Sequence, residues 1–308
     1  MPSNQASLGA KPAVFRKSRL LVVGCGDVGQ RLLTLLGSRW RILVLTSDAS
    51  KVATLRAPGV RALLGNLDAP TSLARLSGLA HRVVHLAPPP SQGQEDIRTR
   101  NLMQVLSLRS APLHLVYAST SGVYGDCAGE WVSELRTLNA QTSRGERRVD
   151  AERRVRLLGR IKMGQTKTAV LRIPGIYALD RVGGTPFDRL KKGLPVLKPE
   201  QDVYTNHIHA DDLARAVFRA LLLQSTLRSF NVSDDSQLKM GEYFAWAAQA
   251  FELPSPPQMD RQDIQTLLSP MQFSFMQESR RLVNLRMKKE LKLALRYPTI
   301  QDGLKPKV

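Results

Sequence analysis

Short apolar runs alternate along this chain with stretches in which apolar residues recur every three or four positions. Leu20 to Val23 are four apolar residues in succession, the pattern of a strand buried on both faces. Val28, Leu32, Leu33, Leu35 and Leu36 then fall at helical spacing. Further strands are expected at Arg41–Leu45, Arg61–Leu64, Arg82–Leu86 and Leu113–Ala118. Helices are expected between them at Ala49–Ala57, closed by Pro58-Gly59, at Thr71–Leu76 and at Asp96–Arg109. Strand followed by helix, repeated, predicts a parallel sheet with helices on both faces. A sixth unit is expected from a helix at Ser143–Lys162 and a strand at Ala169–Ile173. In that helix Arg147, Arg148, Arg153, Arg154, Arg156 and Arg160 surround a stripe of Val149, Val155 and Leu158, and most of them read as a solvated face. Beyond Pro174 the periodicity loosens. Helices are expected at Asp211–Leu223 and Gly241–Phe251, a strand at Phe230–Val232, and a basic helix at the end of Glu278–Arg296.

The turn after the first strand carries the chemistry. Gly24, Gly26 and Gly29 stand at G-x-G-x-x-G spacing, between a buried strand and an apolar helix. In a dinucleotide site the first glycine makes the tight turn, the second lets backbone approach pyrophosphate, and the third packs helix on strand. The helix N-terminus adds free N–H groups and partial positive charge. This predicts an α/β, Rossmann-type doubly wound sheet with a smaller C-terminal substrate domain. The expected division is a disordered basic tail over 1–17, an NAD(P)-binding domain over 18–170 and a substrate portion over 171–308, with parts of 203–232 returning to the nucleotide domain. Expected cofactor contacts are Gly24, Cys25, Gly26, Asp27, Val28 and Gly29 in the loop, and Thr46 and Ser47 at the tip of the second strand. Asn66 and Leu67 are expected after the third strand, and Leu86, Ala87, Pro88 and Pro174 near the phosphates and nicotinamide. The tip reads Thr46-Ser47-Asp48, where hydroxyls suit a 2′-phosphate and Asp48 suits a free 2′-hydroxyl; NADP is favoured over NAD.

The chain has 308 residues, 43% hydrophobic, enough for a sizeable core. Its formal net charge of +19 favours anionic partners without choosing among nucleotides, acidic substrates and nucleic acid. Two cysteines without metal-type spacing point to a reduced, cytoplasmic compartment. His207 and His209 would share one face of a strand, but no ligand set accompanies them, and no metal is expected. No apolar stretch approaches the roughly 20 residues of a membrane-spanning helix, and no membrane partner is expected.

Several segments together resemble the extended short-chain dehydrogenases/reductases, the epimerase/dehydratase group. They are Ser119-Thr120-Ser121-Gly122-Val123-Tyr124-Gly125, Leu171-Arg172-Ile173-Pro174-Gly175-Ile176-Tyr177, Asn206-His207-Ile208-His209-Ala210-Asp211-Asp212-Leu213-Ala214 and Phe230-Asn231-Val232. The tail around Ser279–Asn284 and Arg296–Thr299, with the G-x-G-x-x-G loop, is similar to an atypical subgroup. The resemblance implies that Thr120, with Ser121 beside it, hydrogen-bonds a substrate oxygen. It also implies a Tyr-x-x-x-Lys pair on the next helix, and here the chain departs. No tyrosine is followed by lysine at the fourth position. Anchoring on Glu152 places Arg144 at the tyrosine position and Arg148 at the lysine position. Arginine stays protonated, so it binds or stabilises negative charge and is a poor proton shuttle. Tyr124 is the candidate substitute acid, against the reading that it packs in its turn. Thr120, Tyr124, Arg144, Ile176 and Tyr177 are expected to line the substrate site.

Three functions follow from these features. The chain is an NAD(P)-dependent oxidoreductase or epimerase-like enzyme acting on a small molecule, a nucleotide-binding sensor or scaffold without catalysis, or a nucleic-acid binder on the same fold. Interleaved acids and few aromatics weigh against the last. A homodimer is left open.

Overall fold

The computed structural model describes residues 17–55, 60–161 and 166–305. Most of the expected tail, the end of the helix expected at Ala49–Ala57 and Lys162 lie outside them. Seven parallel strands form the central sheet: β1 (Ser18–Val23), β2 (Trp40–Thr46), β3 (Val60–Leu64), β4 (Arg82–His85), β5 (His114–Thr120), β6 (Lys167–Ile173) and β7 (Arg228–Asn231). Their order is β7-β6-β5-β4-β1-β2-β3. The order reverses beside β1, which opens a crevice at the carboxyl ends of β1 and β4, where open α/β sheets place ligands. The predicted Rossmann-type class is the observed one.

Period-two alternation divides the sheet's side chains between two cores. Leu20 and Val22 point to one face, with Leu32 and Leu36 of α1 (Asp27–Leu36). Leu213, Ala216, Val217 and Ala220 of α4 (Ala210–Ala220) cover the same face. Leu21 and Val23 point to the other, with Leu102 and Leu106 of α2 (Ile97–Ser107) and Val155 and Leu158 of α3 (Ser143–Ile161). The later segments therefore rejoin the sheet: β7 pairs with β6 from Arg228↔Ala169 to Asn231↔Arg172. A further core gathers Leu190, Leu197, Ile264, Phe273 and Met276 around α5 (Met240–Ala250).

Several local expectations are corrected. The helix after β2 covers Lys51–Thr54 alone among the described residues. Pro70–Leu76 is a 3-10 helix, tightened by Pro70 at its first position. The basic C-terminal segment is a two-residue strand, Arg281–Leu282, and a short helix, Leu285–Glu290. The arginines of α3 are not mainly a solvated face. Arg147 donates to the Gly93 carbonyl, Arg148 to the Ala118 carbonyl, Arg154 to Asp150 and Glu95, and Arg156 to Ser229. Arg153 and Arg160 are the exposed ones.

One buried ion pair ties α3 to the sheet. Arg172 on β6 donates to both oxygens of Glu152, at 3.1 and 2.8 Å, and each side chain is at most 2% exposed. Ser119 donates to the same carboxylate at 2.7 Å. Removing one partner strands a buried charge. Arg172→Met is therefore expected to lower unfolding free energy by about 3–5 kcal/mol in urea titration, and Glu152→Leu added to it is expected to recover much of that loss.

Candidate functional site

The glycine loop is shaped by two close constraints. Gly24 adopts φ +83°, and a Cβ there would stand 2.6 Å from the Ala87 nitrogen and 2.7 Å from its Cα. The turn off β1 thus rests on the strand-end loop of β4, where the Leu86 and Ala87 amides both donate to the Val23 carbonyl. Gly26 differs: a Cβ there would meet nothing within 4 Å. The protein leaves space in front of the α1 N-terminus, where Gly26 is the N-cap. Cys25 is half-buried and its thiol is pushed up to about 11 by desolvation, so it stays protonated and fills space beneath Gly29. Val28 packs on the core beside it. Asp27 sits in the first helical turn, its carboxylate bound by Arg31 at 3.1 Å and by Arg181 at 2.9 Å. That pairing offsets an acid placed where an anion would bind.

At the tip of β2, the Thr46 hydroxyl accepts the Asp48 amide at 3.2 Å. Asp48 accepts the Ser50 amide and hydroxyl at 2.9 and 2.6 Å, which together hold its carboxyl below the usual range. Ser47 is exposed. After β3, the Asn66 carbonyl oxygen of the side chain accepts the Asp68 amide at 2.9 Å, and Leu67 is buried with its carbonyl accepting from Asn101. Because every sheet strand is parallel, these positions share the carboxyl edge with the glycine loop.

A cavity of about 790 Å³ opens at that edge. It brings together Pro88, Thr120, Ser121, Arg144, Arg148, Pro174 and Ile176 of the sequence-derived candidates. The Thr120 hydroxyl caps the following turn by accepting the Gly122 amide at 3.3 Å. Gly145 lets α3 approach that turn: a Cβ there would lie 3.0 Å from the Gly122 carbonyl. Arg144 and Arg148, one helical turn apart, are thereby set beside Thr120. Arg148 donates to the Tyr117 hydroxyl at 3.0 Å and the Ala118 carbonyl at 2.8 Å. Arg144 lies over the Phe275 ring at 4.5 Å.

The glycine loop, Thr46, Ser47, Asn66, Leu67, Leu86 and Ala87 lie outside this cavity's wall, and of the residues expected to line the substrate site Tyr124 and Tyr177 do not reach it. Tyr124 is 1% exposed, donates to Asn231 at 2.7 Å and accepts from Arg172 at 2.8 Å. Burial raises its pKa, so it is a packing residue rather than a substitute acid. Tyr177 is 2% exposed and donates to the Thr299 carbonyl at 3.1 Å. Both hydroxyls are held by backbone or side chains that long-range pairing brings to them. His207 and His209 are buried against Tyr243 and Tyr297, at ring-centroid distances of 4.4 and 3.6 Å. Among the described residues, no cluster suited to a metal occurs.

The structure also adds residues that local reasoning missed. Tyr204, Asn206, Phe275, Glu278 and Arg280 form the far wall, and Arg147 and Arg181 complete a set of five arginines facing one carboxylate. Glu278 pairs with Arg280 at 2.8 Å. Asn206 and Arg280 lie in segments that carried the family resemblance, which was their one local signal.

The TrkA-N domain family matches residues 20–121. No protein of curated function matches the chain. Solved structures share its architecture over nearly its full length. A functionally unknown conserved protein from Silicibacter pomeroyi is 29% identical, with TM-score 0.74 over 93% of this chain and 96% of that one. UDP-glucose 4-epimerase from Thermotoga maritima is 17% identical, with TM-score 0.74 over 93% and 96%. The human epimerase family protein SDR39U1, solved with NADPH, is 17% identical, with TM-score 0.73 over 93% and 98%. The chain has the fold of the epimerase group of short-chain dehydrogenases/reductases. No helix among the described residues is long and apolar enough to cross a membrane.

The contrast between the two loop glycines is testable by thermal denaturation. Gly24→Ala must carry both a left-handed backbone and a clash with Ala87, and is expected to lose about 2 kcal/mol or more. Gly26→Ala has room for its methyl and is expected to stay within about 1 kcal/mol of the parent protein.

Proposed function

We propose that this protein is an NAD(P)-dependent oxidoreductase or epimerase-like enzyme, with its substrate bound between the carboxyl edge of the sheet and the C-terminal portion. The observation that carries the proposal is the uncovered space at Gly26, at the N-terminus of α1, on the same carboxyl edge of the parallel sheet as Thr120. The residues present fit a dinucleotide. Gly24 to Gly29 would hold the pyrophosphate, Asn66 and Leu67 would flank the adenine, and Ala87, Pro88 and Pro174 would border the nicotinamide. Arg148 takes the place of a lysine at the nicotinamide ribose. The neighbours solved with NAD or NADPH support this class of cofactor. NADP is the cofactor we assign: the Asp48 carboxylate is engaged by Ser50 on one oxygen and by Lys51 at 3.7 Å on the other, which leaves the exposed Ser47 hydroxyl for a 2′-phosphate.

When bound, the nicotinamide accepts or returns a hydride. Around it, the Thr120 hydroxyl orients the substrate oxygen, and Arg144 holds positive charge on the same wall without giving up its proton. Tyr204 carries the phenol on the cavity wall, and we assign proton exchange to it in place of the tyrosine missing from α3. A catalytically silent nucleotide-binding protein is the second reading, favoured by the arginine at position 144.

Fluorescence titration with NADPH and NADH tests the cofactor. Saturable binding is expected, tighter for NADPH. Gly26→Asp sets a carboxylate against the pyrophosphate and is expected to raise Kd at least about a hundredfold. Absence of binding by either nucleotide at millimolar concentration would remove both readings. Cofactor binding without substrate-dependent oxidation or reduction across a broad alcohol and carbonyl panel would leave the second.

A further inference from the structure

Arg144 differs from every other arginine on the cavity wall. Arg147 donates to Gly93, Arg148 to Ala118 and Tyr117, Arg181 to Asp27, and Arg280 to Gly125 and Glu278. Each is tied by its terminal nitrogens to the protein. Arg144 is half-buried, rests on the Phe275 ring, and makes no hydrogen bond or ion pair among the described residues. Burial disfavours its charged form, the Glu278 carboxylate favours it from a distance, and the guanidiniums of Arg148, Arg280 and Arg147 oppose it. A partly desolvated guanidinium with five unused donors is matched by a planar anion that accepts two of them in parallel.

We propose that the cavity takes a small organic acid, a carboxylate on an apolar body, and that Arg144 is the group that binds the carboxylate. The inference rests on the reading of this cavity as the substrate site and narrows the substrate class. Hydrogen-bond capacity selects a carboxylate over a phosphate ester. The two oxygens of a carboxylate are met by two parallel donors of Arg144 alone. A phosphate has a third oxygen, and the terminal nitrogens of the other four arginines are already committed to the protein. The apolar body is indicated by Ile176, Met240, Met271 and Phe275, which line the remaining wall. The first turn of α3 fixes the geometry. Gly145 is pressed against the Gly122 carbonyl, so Arg144 adjoins the turn that follows Thr120. A carboxylate on Arg144 therefore places its neighbouring carbon and oxygen toward the Thr120 hydroxyl. Arg144 is in this reading a specificity-determining residue that replaces a proton donor with an anion clamp.

Calorimetric titration of the full chain tests this with three probes of one shape: phenylpyruvate, the uncharged phenylacetone, and phenyl phosphate. Each is titrated with and without saturating NADPH. Phenylpyruvate is expected to bind at least about tenfold more tightly than either other probe. Arg144→Leu is expected to abolish that advantage and leave phenylacetone binding unchanged. Arg144→Lys, with charge but no planar fork, is expected to fall between them. Arg153→Leu, exposed on the same helix, is expected to bind all three as the parent does, and far-ultraviolet dichroism checks that each variant is folded. Equal binding of the acid and the ketone overturns the proposal. So does an acid preference that survives in Arg144→Leu, a preference for phenyl phosphate, or no binding of any probe at about 10 mM. Failure of NADPH itself to bind strikes the cofactor reading instead, because the Arg144-dependent preference is read in its absence as well.

Discussion

Arg172 has almost no access to water and directs its donors to three separate parts of the chain. Two bonds go to Glu152 on α3, one to the Tyr124 hydroxyl in the turn after β5, and one to the Glu134 carbonyl. The Tyr124 ring lies against it at 4.9 Å. Taking a guanidinium and a carboxylate out of water costs several kcal/mol for each ion, and the loss is recovered only when every donor and lone pair is met. Helix α3, strand β6 and the Ser121–Tyr124 turn therefore have little freedom to assemble separately. The cavity inherits that constraint. Thr120 and Ser121 begin the turn that Tyr124 ends, and Arg144 and Arg148 lie two and one turns before Glu152 on α3. The position of the hydroxyl relative to the guanidiniums is set by a buried network whose members lie outside the cavity wall.

What could be read from the chain follows from how far each residue's partners lie in sequence. The β1 strand and glycine loop are legible because their requirements are local: an apolar run, a positive φ at Gly24, and a helix start. The sheet class followed from repeated strand–helix alternation for the same reason. Tyr124 was ambiguous because its motif is local while its partner Asn231 is 107 positions away. The arginines of α3 misled in the same manner. A helical wheel shows a charged surround, but Gly93, Ala118 and Ser229 are brought to it by tertiary packing. The far wall of the cavity, from Met271 to Arg280, has no periodic signal. Its side chains become neighbours of Thr120 only through the C-terminal core.

The same packing bears on the basic excess. A net charge of +19 suggests a surface for polyanions. Yet on the most arginine-rich helix, four of the six arginines named from sequence are committed to carbonyls, carboxylates or a serine, and two face water. Nucleic-acid backbone binding needs guanidiniums free to replace counterions along a continuous face, and α3 does not offer one.

The cavity shows the opposite economy: four of its arginines are used as struts, and the fifth has no hydrogen-bond or ion-pair partner among the described residues. That arrangement changes what pH can do. A tyrosine acid brought toward neutral by a lysine would make activity follow the enzyme's own titration. Guanidiniums do not titrate in any working range, so the positive wall persists across pH. In the proposed reading the ligand's own ionisation decides when the cavity is filled, and proton exchange falls to a group outside the arginine cluster. With arginine at position 144, holding an anion and moving a proton fall to different side chains.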